Sequence, residues 1–373
     1  MKILMLNYEF PPLGGGASNA TKYILKEFSL KPDIKVDLVT SSAAKEMQEE
    51  RFSENITIYK LPVNKKNIHY WRSNEIFLYT FSAIKLVKKL FKKNKYDLCH
   101  AFFGIPCGFI AYLFRKNIPY IVSLRGSDVP GFNKRFSFQY VFLKPIIRIV
   151  WRNARCVIAN SKGLKNLALE TNPEQDIKII YNGIDINEFK PAGKNDDTIK
   201  ILCVSRLIKR KGIEYLIKSV PLILNKTKCF KITIVGEGNM EHELKNLANK
   251  LDVSKYIEFR GYVKHNKLPS IYSDSNIFVL PSLNEGMSNT VLEAMASGLP
   301  IITTDTGGTR ELIKDNGIIV PMGDSEAIAD AIIRLINDSK LREGMGEKSR
   351  EIAENMSWKN VAEEYLKIYE KVI

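Results

Sequence analysis

Glu285 and Glu293 stand eight residues apart in Glu285-Gly286-Met287-Ser288-Asn289-Thr290-Val291-Leu292-Glu293, and Arg206 precedes Lys211-Gly212 by five residues. Both groups follow an apolar run that reads as a strand. They therefore fall where open α/β sheets bind ligands, beyond the carboxyl ends of the strands. A strand-end arginine with a lysine close behind it can clamp a diphosphate. Loop amides at a helix N-terminus suit the same anion. Gly14-Gly15-Gly16, after the first apolar run, lets backbone approach a bulky anion closely. Its spacing is not that of G-x-G-x-x-G, which argues against a dinucleotide cofactor. Each motif also has a plain structural use. Thr290-Val291-Leu292-Glu293 matches a capping box, in which the glutamate would satisfy a backbone N–H. Loop lysines and arginines are usually solvated, and a glycine-rich turn can simply pack a strand against a helix.

The elements that must position these residues are legible as short apolar strands alternating with helical stretches. Strands are expected at 3–7, 35–40, 56–61, 97–101, 120–124, 156–160 and 177–181. Lys190-Pro191-Ala192-Gly193-Lys194-Asn195-Asp196-Asp197 is polar and reads as a linker. Strands resume at 200–205, 231–235, 257–260, 277–280, 300–304 and 318–320. The expected fold class is α/β, with two Rossmann-like doubly wound domains facing across a cleft. The expected domains are residues 1–190, with a closing helix 358–373 that returns to them, and residues 191–357.

Composition bounds the function. The chain has 373 residues, 45% of them hydrophobic, enough for two cores. No apolar run reaches the length of a membrane span, and the first apolar segment is too short for a signal sequence. Five cysteines without a C-x-x-C read as reduced core thiols, so a cytoplasmic location is expected. A formal charge of +15 calls for an anionic partner: nucleic acid, anionic lipid or a phosphorylated substrate. The lysines at 85, 88, 89, 92, 93 and 95 interleave with Ile84, Leu86, Val87, Leu90 and Phe91 at helical spacing. A second basic amphipathic stretch runs from Phe142 to Arg155. Such a helix is either a core helix with a solvated lysine face or a membrane-surface helix, and both readings stay open here. No aromatic-basic platform or nucleic-acid motif appears, which disfavours nucleic acid.

Taken together, these motifs resemble family-4 retaining glycosyltransferases of the two-domain GT-B fold, along essentially the whole chain. The strongest part runs from Pro281-Ser282 to Glu293-Ala294-Met295-Ala296-Ser297-Gly298-Leu299-Pro300. Arg206 to Gly212, the N-terminal glycine loop, Asn182-Gly183-Ile184-Asp185 and Ser357-Trp358 agree in order and spacing. The resemblance implies that Arg206 and Lys211 hold the donor diphosphate, with amides around Gly15 and Gly16 approaching it. Glu293 is implied to bind ribose. Glu285 is implied to contact the donor sugar beside the backbone of Gly286, Met287 and Ser288, and Gly238 joins the donor-binding set. Many relatives carry a histidine in the loop that here reads Ser123-Leu124-Arg125-Gly126-Ser127-Asp128, so Arg125 or Asp128 is expected to take a different part near the reacting bond. His100, alone in an apolar stretch, reads as structural.

The expected activity is transfer of a sugar from a nucleotide-diphosphate sugar to a glycan or lipid-linked acceptor. No cofactor is expected. The sequence contains no Asp-x-Asp, which fits a metal-independent site. The alternatives are a nucleotide-sugar epimerase on the same fold and a non-catalytic membrane-surface protein. Peripheral attachment to an anionic membrane, at the inner face of the plasma membrane, accompanies the lipid-linked reading.

Overall fold

The protein is described by a computed structural model covering residues 1–65, 71–132, 137–192, 198–306 and 308–373. Most of the expected linker, 193–197, and Gly307 of the Thr306–Thr309 loop lie outside the described residues. The chain forms two compact units, Met1–Asn182 with Trp358–Ile373, and Gly183–Ser357.

The first unit holds strands β1 (Lys2–Leu6), β2 (Lys35–Ser42), β3 (Gln48–Ser53), β4 (Ile56–Pro62), β5 (Leu98–Phe102), β6 (Tyr120–Ser123), β7 (Cys156–Ala159) and β8 (Ile177–Ile179). Their order across the sheet is β3-β4-β2-β1-β5-β6-β7-β8. All neighbours run parallel except β3 against β4. β5, β6 and β7 are buried at every residue, the apolar runs of strands covered on both faces. β3, with the sequence QEERFS, is absent from the sequence expectations because it has neither an apolar run nor alternation. Charge on an edge strand discourages further pairing.

Helices α1 (Gly16–Ser29), α2 (Ser73–Lys93), α3 (Phe109–Leu113), α4 (Ser137–Asn153) and α5 (Lys162–Thr171) connect these strands. From β1 the chain moves to β2 on one side, whereas from β4 onward it moves the other way, through β5 to β8. Right-handed crossovers then place α1 on one face of the sheet and α2 to α5 on the other. Consistent with this, α3 packs against both α2 and α4.

The second unit contains β9 (Ile199–Val204), β10 (Phe230–Val235), β11 (Ile257–Gly261), β12 (Ile277–Leu280), β13 (Ile301–Thr304) and β14 (Gly317–Val320), in the order β11-β10-β9-β12-β13-β14. Its helices are α6 (Ile213–Leu224), α7 (Glu241–Lys250), α8 (Leu268–Ser273), α9 (Asn289–Ala296), α10 (Thr309–Leu312), α11 (Ser325–Asn337) and α12 (Ser339–Asn355). Strand order reverses between β9 and β12. The last helix, α13 (Trp358–Val372), belongs to the first unit, where Trp358 stacks on Tyr23 of α1 with ring centroids 5.4 Å apart.

The expected boundary after residue 190 moves to Asn182. Residues 183–190 go with the second unit because they are held there: Ile184 donates its N–H to the Met356 carbonyl at 2.9 Å, and Phe189 is buried against Tyr272. Arg350 also donates to the Ile186 and Phe189 carbonyls, at 3.1 and 2.9 Å. The expected set of five buried thiols also changes. Cys229 is exposed, while Cys99, Cys107, Cys156 and Cys203 are buried. Burial pushes the Cys107 and Cys203 thiols up to about 12, which keeps them protonated.

Candidate functional site

In the second unit the loops that follow β9 and β12 leave the sheet at its reversal point, so the topology brings the segment 206–212 beside the segment 285–293. After β9 the chain runs through Ser205 and the exposed Arg206 into a tight turn at Lys209–Lys211. Gly212 ends that turn at φ +62 and starts α6. A Cβ there would collide with the Pro281 carbonyl, so glycine is needed for both its backbone angle and its closeness to the β12 loop. Leu283 donates its N–H to the Arg210 carbonyl at 2.8 Å and ties the loops together. Across this junction Lys211 Nζ forms an ion pair with Glu285 Oε2, with side chains only 10% and 16% exposed. Gly286 and Ser288, with Glu285, line a small cavity closed by Thr303, Thr306 and Gly308.

Gly238 has a packing duty of its own. A Cβ there would strike the Leu207 carbonyl, and Leu207 N–H donates to the Glu237 carbonyl at 2.9 Å. The loop after β10 is thereby zipped to the loop that carries Arg206.

Glu293 does not form the capping box. The helix begins at Asn289 with Ser288 as its N-cap, so Thr290 is already inside it and Glu293 lies a turn beyond the cap. Its carboxylate instead accepts the Tyr272 hydroxyl at 2.8 Å on Oε2, and His265 Nε2 lies 3.4 Å from Oε1. His265 Nδ1 in turn is 3.6 Å from Glu188. Burial, followed by the Glu293 charge, raises the Tyr272 hydroxyl well above its usual pKa and keeps it a donor. The sequence reading missed Tyr272 and His265, whose only signal is their later proximity to α9.

Arg125, Asp128, Gly15 and Gly16 belong to the first unit. Asp128 is a loop organiser. Its Oδ2 accepts the Gly104 N–H at 2.7 Å, and its Oδ1 accepts those of Arg125 and Gly126 at 2.9 and 3.0 Å. Burial raises its carboxyl above the usual range, and these N–H donors pull it back down. Arg125 lies over the Phe102 ring at 4.8 Å and donates to Asn182 Oδ1 at 3.0 Å and Tyr365 Oη at 3.1 Å. Its Nε is buried with no hydrogen-bond partner among the described residues. Ser123 joins Tyr365 at 3.2 Å and His100 at 2.7 Å, and His100 reaches Tyr369 at 2.6 Å. The structural reading of His100 thus takes a definite form. It is a buried bridge from the sheet to α13. Burial and then the Arg125 charge hold its imidazole well below 6.5.

In the glycine loop, Gly15 N–H faces Glu9 Oε2 at 3.4 Å. Asn7 braces this loop onto α1 through Thr21 Oγ1 at 2.7 Å and accepts the Glu9 N–H at 2.9 Å. Gly15 is also the N-cap of α1, whose first turn carries no acidic residue.

The family model "Glycosyl transferases group 1" matches residues 185–352, and "Glycosyltransferase Family 4" matches residues 14–188. An uncharacterized glycosyltransferase of Methanocaldococcus jannaschii is 29% identical over 99% of this chain and 98% of its own. A capsular polysaccharide biosynthesis glycosyltransferase of Staphylococcus aureus is 29% identical over 88% of this chain and 87% of its own. An Escherichia coli UDP-Gal:α-D-GlcNAc-diphosphoundecaprenol α-1,3-galactosyltransferase is 26% identical, covering 91% and 89%. Among solved structures, sucrose-phosphate synthase of Thermosynechococcus elongatus superposes with a TM-score of 0.83 at 20% identity, over 100% of this chain and 98% of that one. An Anabaena protein solved with UDP-glucose gives 0.74 at 18% identity, with complete coverage of both chains.

Proposed function

The chain belongs to glycosyltransferase family 4 and has the GT-B fold, and from that premise we propose that it moves a sugar from a nucleotide-diphosphate sugar to an acceptor hydroxyl with retention of anomeric configuration. The observation that carries this reading is the convergence of Arg206, Lys211 and Glu285 at the strand-order reversal of the second sheet. The difficult step is departure of the nucleoside diphosphate. In the proposed complex, Lys211 exchanges its Glu285 partner for a phosphate oxygen, and Arg206 stabilises the charge that develops on the leaving group. Glu285, released, accepts hydrogen bonds from sugar hydroxyls. Glu293, oriented by Tyr272, does the same for ribose. Arg206 and Lys211 supply the positive charge, so no metal is needed in this scheme.

We place the reaction in cell-surface glycan assembly, with the acceptor carried on a lipid. The relatives from S. aureus and E. coli, one named for capsular polysaccharide and the other for a diphosphoundecaprenol substrate, support that placement. No helix among the described residues is long and apolar enough to cross a membrane. The proposed meeting with such an acceptor is at a membrane surface, where a lipid-linked acceptor lies.

The test is to incubate the protein with a panel of UDP- and GDP-sugars, with and without lipid-linked and free glycan acceptors, and to follow nucleotide release and product configuration by NMR. Release that depends on acceptor, with configuration retained, is expected. Conversion of the donor sugar without acceptor would mark an epimerase, and an inverted product would remove retention.

A further inference from the structure

The outer surface of the α2, α3 and α4 layer has a chemistry that sugar transfer does not use. These three helices lie on one face of the first sheet, with α3 packed against the other two. On α2, Phe77 and Phe81 are 75% and 53% exposed; on α4, Val141, Phe142, Ile146 and Ile149 are 66%, 67%, 38% and 46% exposed. With Leu113 of α3, this layer carries seven of the thirteen large hydrophobic side chains exposed among the described residues. On the opposite face, α1 and α13 have such side chains only at their ends, Leu30 capping α1 and Ile373 following α13. Gathering of exposed apolar side chains on one face marks an interaction surface.

The exposed charges on α2 and α4 are of one sign. α2 exposes Lys85, Lys88, Lys89, Lys92 and Lys93. Its one acidic residue, Glu75, is buried and paired with Lys65 at 2.7 Å. α4 exposes Lys144, Arg148 and Arg152 and contains no Asp or Glu. Arg152 lies 3.9 Å from the exposed Glu174, and Lys85 Nζ sits 4.3 Å over the Phe81 ring. Apolar side chains interleaved with cations match the headgroup boundary of an anionic bilayer, which takes up apolar groups and attracts cations together. A second copy of this chain would set like charge against like charge.

We propose that this face docks on an anionic lipid surface, with Phe77, Phe81, Ile146 and Ile149 entering the headgroup boundary and the neighbouring lysines and arginines meeting lipid phosphates. The purpose assigned to it, bringing the enzyme to a lipid-linked acceptor, rests on the reading above. The contact itself does not.

Flotation of the full chain with phosphatidylcholine vesicles, with and without about 30% phosphatidylglycerol, at about 50 and about 500 mM salt, tests the proposal. Three variants are compared: Phe77→Ser with Phe81→Ser, Ile146→Ser with Ile149→Ser, and Lys88, Lys89, Lys92 and Lys93 all changed to Gln. Binding only to the anionic vesicles is expected. The lysine variant should lose about tenfold or more at low salt, and each apolar pair about tenfold at both salts, because salt does not screen the apolar contribution. UDP affinity and melting temperature, measured on every variant, should stay at wild-type values. Absent UDP binding in the wild type would count against the glycosyltransferase reading and leave the flotation result standing. Four outcomes would overturn the membrane proposal: equal binding to neutral vesicles, no binding at low salt, wild-type binding by both apolar variants, or self-association in sedimentation that the Phe77/Phe81 variant abolishes.

Discussion

At the scale of single residues, Lys211 and Arg206 separate cleanly because one is buried and the other exposed. Arg206→Ala should lower turnover by about 10²-fold, roughly 3 kcal/mol of transition-state stabilisation, while leaving the melting temperature unchanged. Lys211→Ala should lower turnover comparably and also reduce stability, since it leaves the Glu285 carboxylate partly buried without its ion-pair partner. Steady-state kinetics with thermal melts on both variants checks this, and near wild-type turnover in both would remove the diphosphate assignment. Glu293→Gln tests the other carboxylate. It should weaken UDP binding by about tenfold, because a charged hydrogen bond to ribose becomes a neutral one. A calorimetric titration in which affinity is unchanged and only the melting temperature falls would leave Glu293 as a structural partner of Tyr272 and His265. The pattern of local sequence made Glu293 look like a capping residue, and only the start of α9 at Asn289 removes that reading. Its real partners, Tyr272 and His265, come from segments that no spacing rule connects to it.

At the scale of elements, α13 is fastened to the first sheet by a buried polar chain rather than by apolar packing alone. His100 shares hydrogen bonds with Tyr369 of α13 and Ser123 of β6, and Arg125 reaches Tyr365 of the same helix. A histidine held neutral inside the fold and free to charge when unfolded makes the native state lose stability as pH falls. The unfolded chain takes up its proton near 6.5, whereas the folded chain resists to well below that. Stability from His100 is therefore full above 6.5 and declines below it, with a slope of at most about 1.4 kcal/mol per pH unit. His100→Gln should be less stable at pH 7.5 and should lack that slope. Comparing the wild type and the variant cancels contributions from Asp128 and the other histidines. Equal pH dependence in urea titrations from pH 7.5 to 5 would show that His100 does not titrate as its burial dictates. The strands that pair here were readable because each is a run of apolar residues covered on both faces. β3 was not, because its charged residues pair at a solvated edge. The three-layer arrangement followed from alternation of strand and helix. The attachment of α13 through tyrosines could not be seen, since Tyr365 and Tyr369 look from sequence like ordinary amphipathic-helix residues.

At the scale of the molecule, each unit has its own hydrophobic core, one including residues of both chain ends and the other with its buried residues confined to 201–335. A ligand that binds one unit stabilises that unit directly by mass action. The donor assignment rests on second-unit loops, so UDP should protect backbone amides there first. At about 100 times its dissociation constant, UDP is expected to add about 2.7 kcal/mol to openings of β9 to β14 that break its site. Hydrogen exchange measured with and without UDP should show the strongest slowing at residues 205–212 and 281–293. The amides of β6 to β8 should exchange at unchanged rates, because no proposed nucleotide contact touches their strands. Protection centred on the first sheet, with residues 205–212 and 281–293 unaffected, would move nucleotide recognition away from Arg206, Lys211 and Glu293 and end the present account of the donor site.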